Sequence, residues 1–153
     1  MSAKAQLYQD LALQADALLS DETNLIANMA NLSALIFNTL EDVNWAGFYF
    51  SEGNELVLGP FQGQPACIRI PMGKGVCGTC AATGEVQLVG DVHAFDGHIA
   101  CDATSNAELV VPFFKGSELI GVLDIDSPSH NRFDEEDKAG VQALVNILEE
   151  AVF

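Results

Sequence analysis

Between Ala107 and Asp126 the chain reads AELVVPFFKGSELIGVLDID, an unbroken apolar run from Leu109 to Phe114, a break at Lys115-Gly116-Ser117, and a return through Leu119 to Asp124 and Asp126. Two such runs around a glycine turn predict the arms of a β-hairpin. Asp124 and Asp126 occupy alternate positions and so share one face of a sheet. Glu108 stands at the same end of the hairpin, and Cys101, next to Asp102, lies just before it. Three acids with a thiol beside them suggest a small polar pocket for a cationic ligand. The plainer alternative is a frayed strand end and an ordinary loop thiol. Parity separates the two readings. An even turn sends Glu108 to the opposite face from Asp124 and Asp126, whereas an odd turn such as Lys115-Gly116-Ser117, or a bulge, gathers all three acids on one side.

The 153 residues, about half of them apolar, are enough for one domain that buries roughly 70% of its unfolded surface. A net charge of −16 repels phosphate backbones and anionic lipids, which excludes nucleic acid and membrane surfaces as natural partners. Asp10 and Asp16 interrupt the N-terminal segment, which therefore reads as neither a signal peptide nor a membrane span, and a cytoplasmic protein is expected.

A helical stripe of Leu7, Leu11, Ala15 and Leu18 predicts a first helix over Ala3 to Leu19. A second should open near Ser20-Asp21 and bury Leu25, Met29, Leu32 and Ile36. The period then changes to alternation at Asn44-Trp45-Ala46-Gly47-Phe48-Tyr49-Phe50, with Trp45, Gly47 and Tyr49 on one face. Gly47 leaves a gap between two aromatics that either admits a ligand or allows close sheet packing. A partner strand, Glu55 to Leu58, is expected to end at Gly59-Pro60, with Phe61 to Pro65 as loop. A short strand from Cys67 to Ile70 should stop at Pro71, and Met72-Gly73-Lys74-Gly75 should turn into a helix from about Val76 to Thr83. The glycines lack the full phosphate-loop pattern. The helix N-terminus can still receive a carboxylate, and its dipole would favour a thiolate at Cys77. Val86 to Val89 reads as a strand, 90–106 as a binding loop or lid, and a last helix opens at Asp134 and buries Val141, Leu144, Val145 and Leu148. Helices at both ends of a run of hairpin-linked strands indicate an α+β fold with a central, mostly antiparallel sheet.

The cysteines, Cys67, Cys77, Cys80 and Cys101, fall in the central third of the sequence. Zinc binding by Cys77, Cys80 and Cys101 with His93 or His98 rests on a single C-x-x-C, a weak signal, so no metal is expected. Burial as apolar thiols suits Cys80. Redox exchange needs an accessible attacking thiol, for which Cys101 is suited, and a second thiol to resolve the product, for which Cys67 is suited. Neighbouring carboxylates would raise a thiol pKa, but a carboxylic acid kept protonated could hand a proton to a leaving oxygen.

The segments NWAGFYF (44–50), LGPFQGQPACIRIPMGKGVCGT (58–79), DVHAFDGHIACDATSN (91–106) and GVLDIDSP (121–128) closely resemble the free methionine-(R)-sulfoxide reductases, enzymes built on the GAF fold. The resemblance implies a single GAF domain over 1–153, with N-terminal helices in 1–40, sheet and active-site loops in 44–127 and a C-terminal helix in 134–151. It implies reduction of the R epimer of free methionine sulfoxide, with Cys101 as nucleophile, Cys67 as resolving cysteine and Cys77 as a third cysteine available for exchange. Glu108, Asp124 and Asp126 would hold the substrate ammonium and polarise the sulfoxide oxygen, beside pocket walls of Trp45 and Tyr49. No bound cofactor is implied; thioredoxin, supplied by NADPH through thioredoxin reductase, would restore the dithiol, and a homodimer is suggested. Cys80 departs from the family pattern, in which a small residue is usual. The competing reading is a GAF-type small-molecule or redox sensor without turnover, which expects an attached output domain and has no need of Cys101.

Overall fold

The structure, a computed structural model, describes residues 1–97 and 104–153. Two helices, α1 (Ala3–Leu19) and α2 (Leu25–Thr39), lead into β1 (Trp45–Glu52), β2 (Glu55–Gly63) and β3 (Arg69–Pro71). A short helix α3 (Gly75–Thr83), β4 (Gln87–Val89), the hairpin β5 (Ala107–Lys115) and β6 (Glu118–Ser127), and helix α4 (Glu135–Val152) complete the described chain. The strands form one sheet in the order β3-β2-β1-β6-β5-β4, every neighbouring pair antiparallel. No helix among the described residues is long and apolar enough to cross a membrane.

Strand alternation divides the molecule into two cores. Ala46 and Phe48 of β1, Leu109, Val111 and Phe113 of β5, and Leu123 and Ile125 of β6 face α1, α2 and α4, and each is buried. Burying one such large side chain is worth about 1.5–3 kcal/mol, so this layer dominates stability. The opposite set, Trp45, Tyr49, Val110 and Val122, faces α3 and β3. Glu108, Asp124 and Asp126 belong to this second face.

Parity is settled by a bulge. Lys115 pairs with Glu118, leaving a two-residue turn with Gly116 at φ 61°, the even case. Between Phe113 and Phe114 the register then shifts, Phe114 facing Leu119 and Phe113 facing Gly121, so that Ile120 is the extra residue. The shift places Glu108 directly opposite Asp126 and Val110 opposite Asp124.

Several boundaries differ from the sequence expectation for physical reasons. Helix α1 buries Tyr8, Leu11, Ala15 and Leu19, while Leu7 and Leu18 are 37% and 45% exposed. Tyr8 was missed because its hydroxyl needs a partner from far along the chain; it donates to Asp137 Oδ1 at 2.7 Å, and Lys4 Nζ bonds the other oxygen of that carboxylate at 2.9 Å. Hydrogen bonds to charged groups are worth about 1.5–3 kcal/mol, enough to select the stripe. Ser20 caps the end of α1 rather than opening α2, whose N-cap is Asn24, its side chain accepting from Ala27 N at 2.9 Å. Strand β2 does not end at Gly59-Pro60 but runs through them to Gly63, because Gly47 pairs with Phe61 and Tyr49 with Leu58, so that Phe48 spans both residues in a bulge. Strand β3 starts at Arg69, leaving Cys67 in the segment before it.

Gly121 follows the bulged Ile120 in β6 with no room for a side chain: a Cβ there would lie 2.1 Å from Tyr49 O and 2.9 Å from Phe113 Cε1. Gly121→Ala is expected to cost about 1–3 kcal/mol, the usual range for overpacking, seen as a lower urea midpoint in equilibrium unfolding.

Candidate active site

A cleft opens on the second face, walled by Trp45 and Tyr49 of β1, Glu108 of β5, Asp124 and Asp126 of β6, and the start of α3 from Lys74 to Cys77. Pro65, Ala66, Ile70 and Ser105 complete its described lining. Of the residues expected from sequence, Cys77, Glu108, Asp124, Asp126, Trp45 and Tyr49 are brought together here. Cys101 and His98 lie outside the described residues.

The aromatic wall is built by alternation. Trp45 and Tyr49 stack with ring centroids 5.9 Å apart, and Phe61 stacks on the other side of Trp45 at 5.1 Å. Phe61 also fills the gap above Gly47, where a Cβ would lie 2.2 Å from Phe61 Cβ. That gap is therefore strand packing and not ligand space. Trp45 Nε1 donates to Gln64 O at 3.1 Å and Tyr49 OH to Cys67 O at 3.1 Å, which ties the segment carrying Cys67 to the wall. Cys67 is held in a disulfide, whereas Cys77 and Cys80 are free thiols.

The floor is acidic and buried. Cys77 Sγ donates to Glu108 Oε2 at 3.5 Å, and Cys77, Glu108 and Asp124 each offer a polar atom within 4.8 Å of the others. Asp124 is 5% exposed, and its Oδ1 has no hydrogen-bond partner among the described residues. Burial, then the charges of Asp126 and Glu108, hold its carboxyl well above the ordinary value of 3.8. An acid in that condition can be a proton donor near neutrality. The Cys77 thiol is likewise pushed up, first by burial and then by Asp124 and Glu108. The thiolate expected from the α3 dipole is corrected on this ground, since loss of solvent and neighbouring anions outweigh one helix turn. Cys80, 0% exposed, has its Sγ 3.8 Å from Val110 O and its pKa pushed up to about 12 by burial and Glu108. That is the setting of a packing thiol.

Two groups escaped the sequence reading. Lys74 is the one cation in the described wall, and the signal was its rarity, since the chain has only 6 Lys and Arg against 22 Asp and Glu. Ser105 accepts from Asn44 Nδ2 at 3.1 Å, a pairing across 61 residues that carries no local pattern. Beside Lys74, the amides of Val76 and Cys77 find no acceptor among the described residues, so the cleft has an anion-seeking rim above an anionic floor. His93 belongs to neither: it is exposed, its Nε2 lies 3.0 Å from Asn106 Oδ1, and among the described residues the donors that gather with Cys77 are Glu108 and Asp124.

A carboxyl whose pKa is higher folded than unfolded binds more protons in the folded state, so its ionisation weakens the fold as pH rises past 3.8. Asp124→Asn is therefore expected to gain about 0.5–2 kcal/mol over the native chain at neutral pH, the gain vanishing toward acid. Urea midpoints measured at both pH values check this.

The GAF domain family profile matches residues 14–152. Among characterised proteins, the chain is 53% identical to the free methionine-R-sulfoxide reductase of Escherichia coli over 97% of this chain and 90% of that one. It is 42% identical to the free methionine-R-sulfoxide reductase of Saccharomyces cerevisiae, over 95% and 85%. The solved structure of free methionine-R-sulfoxide reductase from Neisseria meningitidis in complex with its substrate superposes with a TM-score of 0.94 at 44% identity, covering 99% of this chain and 91% of that one.

Proposed function

The chain belongs to the GAF-domain family of free methionine-R-sulfoxide reductases, and from that premise we propose that its cleft binds and reduces free L-methionine (R)-sulfoxide. The observation that carries the reading is the polarity of the cleft. A free amino acid has an ammonium and a carboxylate on one carbon, and the cleft offers an acidic floor and an amide-and-lysine rim within one concavity. A methionine sulfoxide inside a peptide has neither charge to offer.

In the proposed pose the ammonium lies against Glu108 and Asp126, the carboxylate against Lys74 and the opening amides of α3, and the side-chain carbons flanking the sulfoxide against Trp45 and Tyr49. Cys101 attacks the sulfoxide sulfur as its thiolate. The sulfur–oxygen bond breaks, the oxygen passes to the cysteine as a sulfenic acid, and methionine leaves with its sulfur reduced by two electrons. Asp124 supplies a proton to the oxygen as charge develops on it, a role supported by its raised pKa. Cys67 then attacks the sulfenic acid, forming a disulfide and releasing water. The presence of Cys67 in a disulfide while Cys77 and Cys80 are free supports this choice of resolving residue. Thioredoxin, recharged by NADPH through thioredoxin reductase, returns the pair to dithiols by exchange, which places the cycle in a reducing cytoplasm. Cys77, buried and with a raised pKa, is assigned to exchange only after the pocket has opened. A homodimer is part of the proposal through the family.

The deciding assay follows NADPH loss with thioredoxin, its reductase and free methionine (R)-sulfoxide. Turnover is expected with the native chain and none with Cys101→Ser; turnover that survives the substitution removes that residue from its role. Lys74→Ala is expected to raise KM about tenfold, the equivalent of about 1.4 kcal/mol of carboxylate binding, with kcat within about twofold.

A further inference from the structure

The floor of the cleft has a second capability, in which the carboxyls assigned to the substrate join a thiol that the substrate does not engage. Cys77 Sγ, a carboxylate oxygen of Glu108 and one of Asp124 all lie within 4.8 Å of one another. They come from three different elements, the opening turn of α3, β5 and β6, and converge on one point. Tetrahedral zinc with one sulfur bond near 2.3 Å and one oxygen bond near 2.1 Å separates the two donors by about 3.6 Å. Cys77 Sγ and Glu108 Oε2 stand 3.5 Å apart. The independent observation is Asp124, a carboxyl buried in the same floor with one oxygen, Oδ1, that has no hydrogen-bond partner among the described residues. Buried polar atoms are satisfied in the great majority of cases, so a carboxyl with an unpaired oxygen, standing within 4.8 Å of a thiol and a second carboxylate, has a donor to spare for a cation.

We propose that Cys77, Glu108 and Asp124 form a binding site for a thiophilic divalent cation, zinc or cadmium by class, within the cleft. One thiolate and two carboxylates supply three ligands and leave a fourth position toward the open side of the cleft for water. The sulfur ligand selects against magnesium and calcium, which take oxygen. Binding replaces the Cys77 thiol proton and any proton on Asp124 with the metal, so affinity rises with pH. The groups that face this thiol are Asp124 and Asp126 from β6, Glu108 from β5, Tyr49 from β1 and Cys80 one turn along α3, with Lys74 at the rim. Metal and substrate ammonium would compete for the same carboxylates. That consequence for turnover rests on the function proposed above, whereas metal binding itself does not.

The test uses the full chain with Cys67, Cys80 and Cys101 all replaced by serine, so that Cys77 is the only thiol, titrated with cobalt(II) under reducing conditions. A thiolate-to-cobalt charge-transfer band saturating at one metal per chain is expected, with displacement by zinc and an affinity that rises with pH. The band should disappear in Cys77→Ser and in Cys77→Ala, two variants that guard against a folding defect in either. Cobalt affinity should fall at least tenfold in Asp124→Asn, whose fold the substitution is expected to stabilise. No band in the parent, a band that survives loss of Cys77, or an affinity unchanged in Asp124→Asn overturns the proposal. Thioredoxin-coupled turnover of the native chain that zinc leaves unchanged, with the cobalt band intact in the serine variant, would instead count against the functional reading of the cleft.

Discussion

One extra residue in a β-hairpin fixes the chemistry of this molecule. The turn between β5 and β6 is even, and an unbroken ladder from it would have turned Glu108 toward the helices while Asp124 and Asp126 faced the other way. A carboxylate among Leu109, Ile125 and the α4 side chains would have had no counter-charge, and burial of an unpaired ion costs far more than a packed core returns. The bulge that leaves Ile120 unmatched removes that conflict. It keeps the apolar alternation of both strands on the helix side and collects Glu108, Asp124 and Asp126 on the side of α3.

The acids then impose their own cost, which the structure localises rather than relieves. Three carboxyls and a thiol share a floor with no cation among the described residues in contact with it, and two of these groups, Asp124 and Cys77, hold their protons longer than they would in water. A proton-holding carboxyl is unfavourable for stability at neutral pH and useful for chemistry that expels an oxygen. The rim has the opposite polarity, set by helix geometry. Gly73 at φ 80° and Gly75 at φ 65° let the chain turn sharply into α3, so that its opening residues line the cleft with Lys74.

The parts of the fold governed by periodicity could be read in advance. Alternation around Trp45 to Phe50 gave both faces of β1, and the spacing of Val141, Leu144, Val145 and Leu148 gave the buried side of α4. What escaped depended on partners far apart in sequence. Tyr8 takes the place of Leu7 because Asp137 and Gly140 wait for it on α4. Pro60 sits within a strand because a bulge against Phe48 absorbs it, and the gap at Gly47 is closed by Phe61. In the site, residue types were legible and their states were not: the dipole argument for Cys77 was sound locally and lost to burial, which no local window contains. Ser105 was invisible for the same reason, being a single residue placed by the fold, whereas Lys74 left only the trace of its rarity.

The seat of Tyr8 has a bearing on how the chain comes into being. Its ring lies flat over Gly140, where a Cβ would stand 2.2 Å from the ring carbons, and its hydroxyl reaches Asp137. During synthesis α1 therefore leaves the ribosome long before the surface made for it exists. Leu11, Ala15 and Leu19 stay open to solvent until α4 follows, a window in which such a nascent segment is available to chaperones or to self-association. The fold is thus clasped between α1 and α4, fastened through one buried carboxylate.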